Sequence, residues 1–390
     1  MLSKKVDIAL LAGAAYRMVK RRKWKAIQVP IKIGTRGFSG SDLDAFYRGD
    51  ICFEELLRRE KRTSEVSVPP KEREAFKSMI RGSRSGSRCM YPGCENDPVE
   101  VHMLSRASCL SVLASSGTVL KFNEDEPGGK IFLDRVPVAK VSTERCFCAQ
   151  HDNDLFRVLD SPVSRGSLSA EYSFKLAYRL LCGRIPAAEK FLSVTEDYFR
   201  ESGNGDPSFF DLRRYRDNQS EYIRVRELMD VALLEERWDV VESDCWEVPT
   251  GNPTVAAAGA ASLEDIFQKN RNSDKTCVFV AALPEQEGKT LVVVSYMKED
   301  SETVRRHLGR TGVLGKDGRD ADVPSVLSRL LLRYCRYICI SPSFFEAKSR
   351  SEWEEILEYW YETSSGPFCD LERGSGETFN LFCGLGSPSM

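Results

Sequence analysis

The segments Cys89-Met-Tyr-Pro-Gly-Cys94 and Cys146-Phe-Cys148-Ala-Gln-His151-Asp152 decide how the middle of this chain folds. A Cys-x4-Cys segment with Pro-Gly inside it is a turn that directs two thiolates to one point. The spacing Cys148-x2-His151 is typical of two ligands at the start of a helix. Together the pairs supply three sulfur atoms and one nitrogen, the ligand set of a closed, tetrahedral structural zinc site. We therefore predict that Cys89, Cys94, Cys148 and His151 bind one zinc ion.

Other residues of the same window leave alternatives to this ligand set. Residues 89–151 contain five of the 13 cysteines and two of the three histidines. Cys146 offers a thiolate in place of Cys148, and His102 offers a ring nitrogen in place of His151 or Cys148. A further alternative is that the thiols and the histidine are only core residues. Cys109, which lies in an apolar run, is predicted to be a core thiol.

The number of cysteines and the N-terminal residues bear on the compartment. An odd number of cysteines excludes a fully paired disulfide framework, and clustered cysteines in a reducing compartment are typical metal ligands. The short apolar run Ile8–Ala15 mimics a signal peptide, but Asp7 precedes it and the basic block Arg21–Lys23 follows it. No apolar run reaches the roughly 20 residues that span a bilayer. The sequence therefore predicts a cytoplasmic protein without a membrane partner.

Charge is distributed unevenly along a chain whose net charge is only −2. Residues 1–88 carry 21 Lys/Arg against 10 Asp/Glu, a net of +11, so the other 302 residues carry −13. A basic segment beside the cysteine window suits a polyanion such as DNA or RNA. A solvated basic helix face, or a basic arm that docks on the acidic body, explains the same pattern equally well.

Composition and local patterns predict an α+β chain with four parts. Hydrophobic residues make up 42% and charged residues 29% of the chain, an ordinary globular composition. The predicted parts are a basic N-terminal segment with helices and a linker at 1–88, a zinc module at 89–160, a helical hairpin at 161–245 and a mixed C-terminal α/β region at 246–390.

Periodicity predicts the main elements of these parts. Helices are expected at 5–25, 49–62, 167–202, 209–241, 323–340 and 351–362. Strands are expected at 26–33, 255–261, 276–283 and 290–296, the last two joined as a hairpin, and a Gly- and charge-rich loop at 308–321. The second helix of the hairpin has apolar residues that recur at helical spacing and are expected to form its apolar stripe: Leu212, Tyr215, Tyr222, Val225, Leu228, Val231 and Leu234.

The order of the features around the cysteines resembles a known family. A thiol turn comes first, then a strand with His102, a long hairpin, and a ligand pair that opens a helix. This order resembles the treble-clef zinc modules of the HNH (His-Me finger) endonuclease superfamily. It resembles most the branch in which Cys-x4-Cys precedes a single histidine and the second pair is Cys-x2-His-Asp. The likeness covers about residues 89–156.

The resemblance implies roles for two more residues. His102 takes the place of the general base that activates water for phosphodiester attack. Asp152 takes a place that could hold a catalytic Mg²⁺ or Mn²⁺. The chain also departs from the family pattern, because Val101 stands where active members have a second metal ligand. In addition, no asparagine lies between Pro127 and Cys148 to fill the central position.

Two functions follow from these observations. The first is an HNH-like, metal-dependent nuclease that acts on DNA or RNA, with the setting of bacterial defence implied by the resemblance. The second is a non-catalytic, zinc-stabilised subunit that binds nucleic acid through the basic segment or another protein through the C-terminal region. The predicted site is the same in both, and the role of His102 distinguishes them.

Overall fold

An eight-stranded antiparallel sheet runs through the described part of the chain, and helices pack against both of its faces. The computed structural model describes residues 27–30, 36–37, 61–62, 88–124, 130–162, 165–202, 209–263, 276–285, 288–310, 323–365 and 380–382. This architecture confirms the α+β class that the sequence predicts.

The strands are numbered in chain order. They are β1 Ile27–Pro30, β2 Arg36–Gly37, β3 Lys61–Arg62, β4 Val99–His102, β5 Thr118–Glu124, β6 Lys130–Pro137, β7 Thr143–Phe147, β8 Val241–Pro249, β9 Val255–Leu263, β10 Thr276–Pro284, β11 Lys289–Met297 and β12 Tyr337–Ile340. The large sheet has the order β1-β6-β5-β12-β9-β10-β11-β8, while β2 pairs with β3 and β4 pairs with β7.

The helices of more than one turn are also numbered in chain order. They are α1 Ala149–Phe156, α2 Ala170–Ser202, α3 Phe209–Leu234, α4 Ser301–Arg310, α5 Val323–Tyr334, α6 Pro342–Ala347 and α7 Arg350–Ser365. A short helical segment, Arg106–Leu113, follows β4. No helix among the described residues is both long enough and apolar enough to cross a lipid bilayer.

The central strands are buried on both faces, which explains their continuous apolar sequence. On β10, Phe279 and Ala281 belong to the hydrophobic core on one face, whereas Val278 and Val280 belong to the core on the other. Successive side chains of a strand point to opposite faces, so a strand covered on both sides needs apolar residues at every position. The sheet therefore separates two cores.

The two cores extend across the predicted domain boundaries. The first contains Phe147 and Phe156 of the predicted zinc module, Tyr178 of the helical hairpin and Phe279 of the C-terminal region. In addition, β5 of the zinc module pairs with β12 of the C-terminal region through Leu120 and Ile340. Residues 89–160, 161–245 and 246–390 thus share one core and one sheet in this structure.

Several predicted elements are confirmed. The helical hairpin is present as α2 and α3, and the predicted β-hairpin is present as β10 and β11, with Val280 opposite Val294. Strand β1 lies within the predicted strand 26–33, β9 includes 255–261, and α7 includes 351–362. The predicted helices 5–25 and most of 49–62 lie outside the described residues, but Lys61–Arg62 is a strand rather than a helix end.

Three predictions about the ends of elements are wrong. The apolar run 323–340 is not one helix, because α5 ends at Tyr334 and Tyr337–Ile340 is a central strand. Helix α3 ends at Leu234 rather than at 241, and β8 begins at Val241. The predicted loop 308–321 begins inside α4, which extends to Arg310. In each case pairing with the sheet, or packing on it, overrides the local pattern.

The predicted apolar stripe of α3 is only half correct among the described side chains, which do not include Leu212 and Tyr215. Tyr222 and Val225 are buried, but Leu228, Val231 and Leu234 are 41%, 50% and 61% exposed. Met229, Ala232 and Leu233 are buried in their place. Both sets recur with helical period, so periodicity alone does not tell which one faces α2.

Candidate metal centre

The first ligand pair is held in a tight turn. The Cys94 N–H donates to the Tyr91 carbonyl at 3.0 Å, which closes a four-residue turn with Pro92 and Gly93 at its centre. Gly93 has φ +76°. Proline at the second position and a residue with positive φ at the third are typical of a type II turn, in which glycine is strongly preferred. This turn places Cys89 and Cys94 on one side, as the sequence predicts.

The second ligand pair opens helix α1. Cys148 is the N-cap residue with extended backbone, and His151 lies in the first turn of the helix. The Asp152 N–H donates to the Cys148 carbonyl at 2.9 Å and begins the helical hydrogen-bond pattern. Residues three apart face the same side of a helix. Cys148 and His151 therefore point the same way, toward the turn at Cys89.

The four predicted ligands form one cluster. Their ligand atoms, three Sγ and one ring nitrogen, all lie within 4.8 Å of one another. His151 Nδ1 is 3.5 Å from Cys89 Sγ and 3.3 Å from Cys148 Sγ. A zinc tetrahedron with Zn–S of about 2.3 Å and Zn–N of about 2.0 Å has N···S edges of about 3.5 Å. The cluster therefore has the geometry to hold a metal ion such as zinc, with all four positions filled by protein.

Neighbouring groups stabilise the ligands. The Tyr91 ring stacks on the His151 ring at 3.9 Å between centroids, with 11° between planes. The backbone N–H of His151 is the main cause that lowers the pKa of the Cys148 thiol, which favours the thiolate that a metal needs. Burial raises the pKa of Cys89 to about 11, so a cation that binds there must displace a proton.

The alternative ligands that the sequence left open lie outside the cluster. Cys146 is fully buried in the core, and burial raises its thiol pKa well above the ordinary range. His102 is not a member of the cluster either. Cys109 is buried as predicted. Among the described residues, the set Cys89, Cys94, Cys148 and His151 is the one group of three or more such side chains with metal-ligand proximity.

His102 lies at the end of β4, where it pairs with Thr143 of β7. Its Nδ1 is 2.9 Å from the Val141 carbonyl oxygen. A carbonyl oxygen only accepts, so Nδ1 donates and Nε2 keeps its lone pair. The half-buried ring has a lowered pKa, first because of burial and further because of the charges of Arg179 and Arg106. His102 is therefore neutral near pH 7, with a basic nitrogen directed away from Val141.

Asp152 forms an ion pair. Its Oδ1 accepts a hydrogen bond from Arg179 Nη2 at 2.8 Å, and the Arg179 side chain is only 6% exposed. The Arg179 guanidinium also lies 4.9 Å from the centroid of the Phe156 ring. Mg²⁺ and Mn²⁺ are held by several oxygen ligands in octahedral geometry. The described residues around Asp152 offer a cationic neighbour instead, so they do not fit the divalent cation that the family resemblance implies.

The helical hairpin contacts the candidate metal centre through one backbone carbonyl, a contact that sequence analysis missed. The Met90 carbonyl accepts from Arg226 Nη2 at 3.0 Å and lies 3.2 Å from the Tyr178 hydroxyl. That hydroxyl is 2.6 Å from Asp230 Oδ1, and Arg226 lies 3.3 Å from the same carboxylate group. Tyr178 and Arg226 are 88 and 136 positions from Met90 along the chain, so no local pattern could predict the network.

We expect Tyr178→Phe to lower the free energy of unfolding by about 2 kcal/mol, because Asp230 loses a hydrogen bond while it stays largely buried. Tyr172→Phe on the same helix is the matched control. Tyr172 is 5% exposed, and its hydroxyl forms no hydrogen bond within the described residues, so we expect a change of about 0.5 kcal/mol or less. Urea denaturation measures both. Equal losses in the two variants would show that the Asp230 contact adds no stability.

Comparisons of the chain with protein-family models, with curated proteins and with solved structures give no significant match. The chemistry of the site therefore has to be inferred from its own residues.

Proposed function

We propose that the cluster binds one structural zinc ion and that the residues around it form a treble-clef module. The thiol turn, the β4–β7 ribbon and helix α1 follow one another in the order that such a module requires. One ligand pair comes from the turn and the other from the start of the helix. The Met90 N–H donates to the Cys146 carbonyl at 2.8 Å and ties the turn to the ribbon. Zinc in this position supplies folding free energy and no chemistry.

We further propose that the module acts on nucleic acid and that His102 is the general base of a phosphodiesterase. The observation that carries this proposal is the Nδ1–H···O=C bond to Val141, which fixes the ring with Nε2 as the acceptor. Nε2 takes a proton from water, the water oxygen bonds to phosphorus, and the bond between phosphorus and the leaving oxygen breaks as that oxygen takes a proton from bulk water. Arg106, which is exposed, supplies positive charge close to this place.

The substrate class follows from charge. The segment 1–88 with its net charge of +11 precedes the module directly and suits the phosphates of DNA or RNA. Because Asp152 is paired with Arg179, the proposed hydrolysis includes no step on a divalent cation. The clustered cysteines, typical of a reducing compartment, support the proposal of a cytoplasmic setting. The family resemblance supports the proposal of a role in bacterial defence.

A second candidate is a zinc-stabilised binding subunit without catalysis, and the Asp152–Arg179 ion pair favours it. A carboxylate that is paired with a buried guanidinium can have a purely structural role, which fits a protein without catalysis. In this case the basic segment binds nucleic acid, or the C-terminal region binds a protein partner, and His102 only joins β4 to Val141.

The experiment that tests the enzyme is a cleavage assay on plasmid DNA and single-stranded RNA, with and without Mg²⁺ or Mn²⁺. We expect the wild type to cleave one of them and His102→Ala to lose about 100-fold or more of the rate, the usual contribution of a general base. His307→Ala is the matched control, because His307 is half-buried on α4 and hydrogen-bonded to Tyr334 at 2.9 Å.

The wild type, His102→Ala and His307→Ala must contain the same amount of zinc. A loss of activity can then be separated from a loss of folding. Cleavage that persists in His102→Ala contradicts the proposed base. Salt-sensitive gel shifts without cleavage by the wild type support the binding subunit instead.

A further inference from the structure

Helix α2 places one buried positive charge, that of Arg179, beside Asp152, the residue that follows the candidate ligand His151. Arg179 is 5% exposed as a residue, and its guanidinium donates to Asp152 on α1. Its charge also acts on His102 and on Cys146, which lie on the two strands of the β4–β7 ribbon. Arg179 is therefore the cation that joins α2, α1 and the ribbon. Sequence analysis gave it no role.

An arginine in this place competes with a metal ion. A guanidinium carries a permanent charge, because it does not lose its proton in proteins. Its Nη2 lies 2.8 Å from Asp152 Oδ1, and stacking against the Phe156 ring limits how far it can withdraw. A divalent cation on the same carboxylate, whose side chain is 26% exposed, would lie next to this fixed positive charge. The guanidinium therefore disfavours a divalent cation on Asp152.

We propose that the guanidinium of Arg179 takes the place of a divalent cation beside Asp152, so that the His102 site works without Mg²⁺ or Mn²⁺. This inference rests on the proposed function for its chemistry, but its geometry can be tested separately. Arg179 is a positioning residue, because a side chain that is 6% exposed does not reach a phosphate. It fixes Asp152, and its charge favours the neutral form of His102.

The first test measures Mn²⁺ binding to the full-length, zinc-loaded chain. The electron paramagnetic resonance signal of free Mn²⁺ reports how much of the ion remains unbound. We expect the wild type and Asp152→Asn to leave the same amount of Mn²⁺ free at millimolar concentration. One Mn²⁺ bound per chain in the wild type and none in Asp152→Asn would overturn the inference. This readout needs no activity and no variant of the buried arginine.

The second test is the titration of His102 by nuclear magnetic resonance, which is simple because the chain has three histidines. The charged groups that act on His102 are Arg179 of α2, Arg106 after β4 and Asp152 of α1. Loss of the positive charge in Arg179→Met is expected to raise the His102 pKa by about 0.5 or more, while Arg179→Lys, which keeps the charge, changes it little.

The His102 signal is assigned by its loss in His102→Gln, and zinc content and thermal unfolding show whether the variants fold. If Arg179→Met does not fold, the Mn²⁺ measurement on the wild type still decides. An unchanged His102 pKa in a folded Arg179→Met protein contradicts the role of the charge. Cleavage that requires Mg²⁺ overturns this inference but leaves the proposed phosphodiesterase intact. If the protein neither cleaves nucleic acid nor binds Mn²⁺, the phosphodiesterase is contradicted and this inference stands.

Discussion

Cys148→Ala is expected to release the metal and unfold the core around it, whereas Cys146→Ala, two residues earlier, is expected to keep the metal. Cys148 is one of the four residues of the proposed zinc cluster, and Cys146 is a buried core thiol outside that cluster. A structural zinc site supplies roughly 10–16 kcal/mol of binding free energy. This is comparable to the whole stability of a typical domain, about 5–15 kcal/mol. Loss of one ligand therefore has a large effect.

The effect should extend beyond the module. Cys89, Cys148 and Phe156 belong to the same core cluster as Tyr178 of α2 and Phe279 of β10. Because these residues pack together, we expect Cys148→Ala to lower the thermal midpoint of the whole unfolding transition. Cys146→Ala leaves a small cavity and is expected to cost about 1–2 kcal/mol with about one zinc per chain retained.

Elemental analysis for zinc and thermal denaturation measure both variants. The contradicting result is a Cys148→Ala protein that keeps one zinc, or a Cys146→Ala protein that loses it. The second outcome would assign the ligand to the neighbouring strand position, the alternative that the sequence left open.

Gly259→Ala is expected to destabilise the protein by about 3 kcal/mol or more, because a Cβ has no room at this position of β9. It would lie 2.3 Å from the Tyr334 carbonyl oxygen and 2.6 Å from Cys335 Cα. Both are backbone atoms at the junction between α5 and β12, so relief requires moving the helix away from the sheet. That junction places β12 between β5 and β9 at the centre of the sheet.

The matched control is Gly309→Ala on α4, where an added Cβ has no described atom within 4 Å. Alanine is favoured over glycine in a helix by up to about 1 kcal/mol, so we expect a neutral or slightly stabilising change. Urea denaturation at 25 °C compares the two. Similar free energies of unfolding for both variants would show that α5 can shift over β9 at little cost.

Features with local causes were predictable from the amino-acid sequence. Pro92 and Gly93 form the predicted turn, and Cys148 and His151 share one side of a helix start, because spacing alone sets these geometries. The α2–α3 and β10–β11 hairpins were also predictable, since long periodic runs bounded by turn residues need no distant partner to be recognised.

Features that depend on distant partners became clear only from the folded chain. The apolar pattern of Tyr337–Ile340 is compatible with a helix end or with a strand, since a short apolar run suits either state. Pairing with β5 and β9 makes it a strand. The inward face of α3 depends on packing against α2, because two apolar sets share one period. The contact of Asp152 with Arg179 joins residues 27 positions apart on different helices. Local sequence patterns indicate which residues can be buried or can bind a ligand. The residues that they contact depend on how distant segments pack in the folded chain.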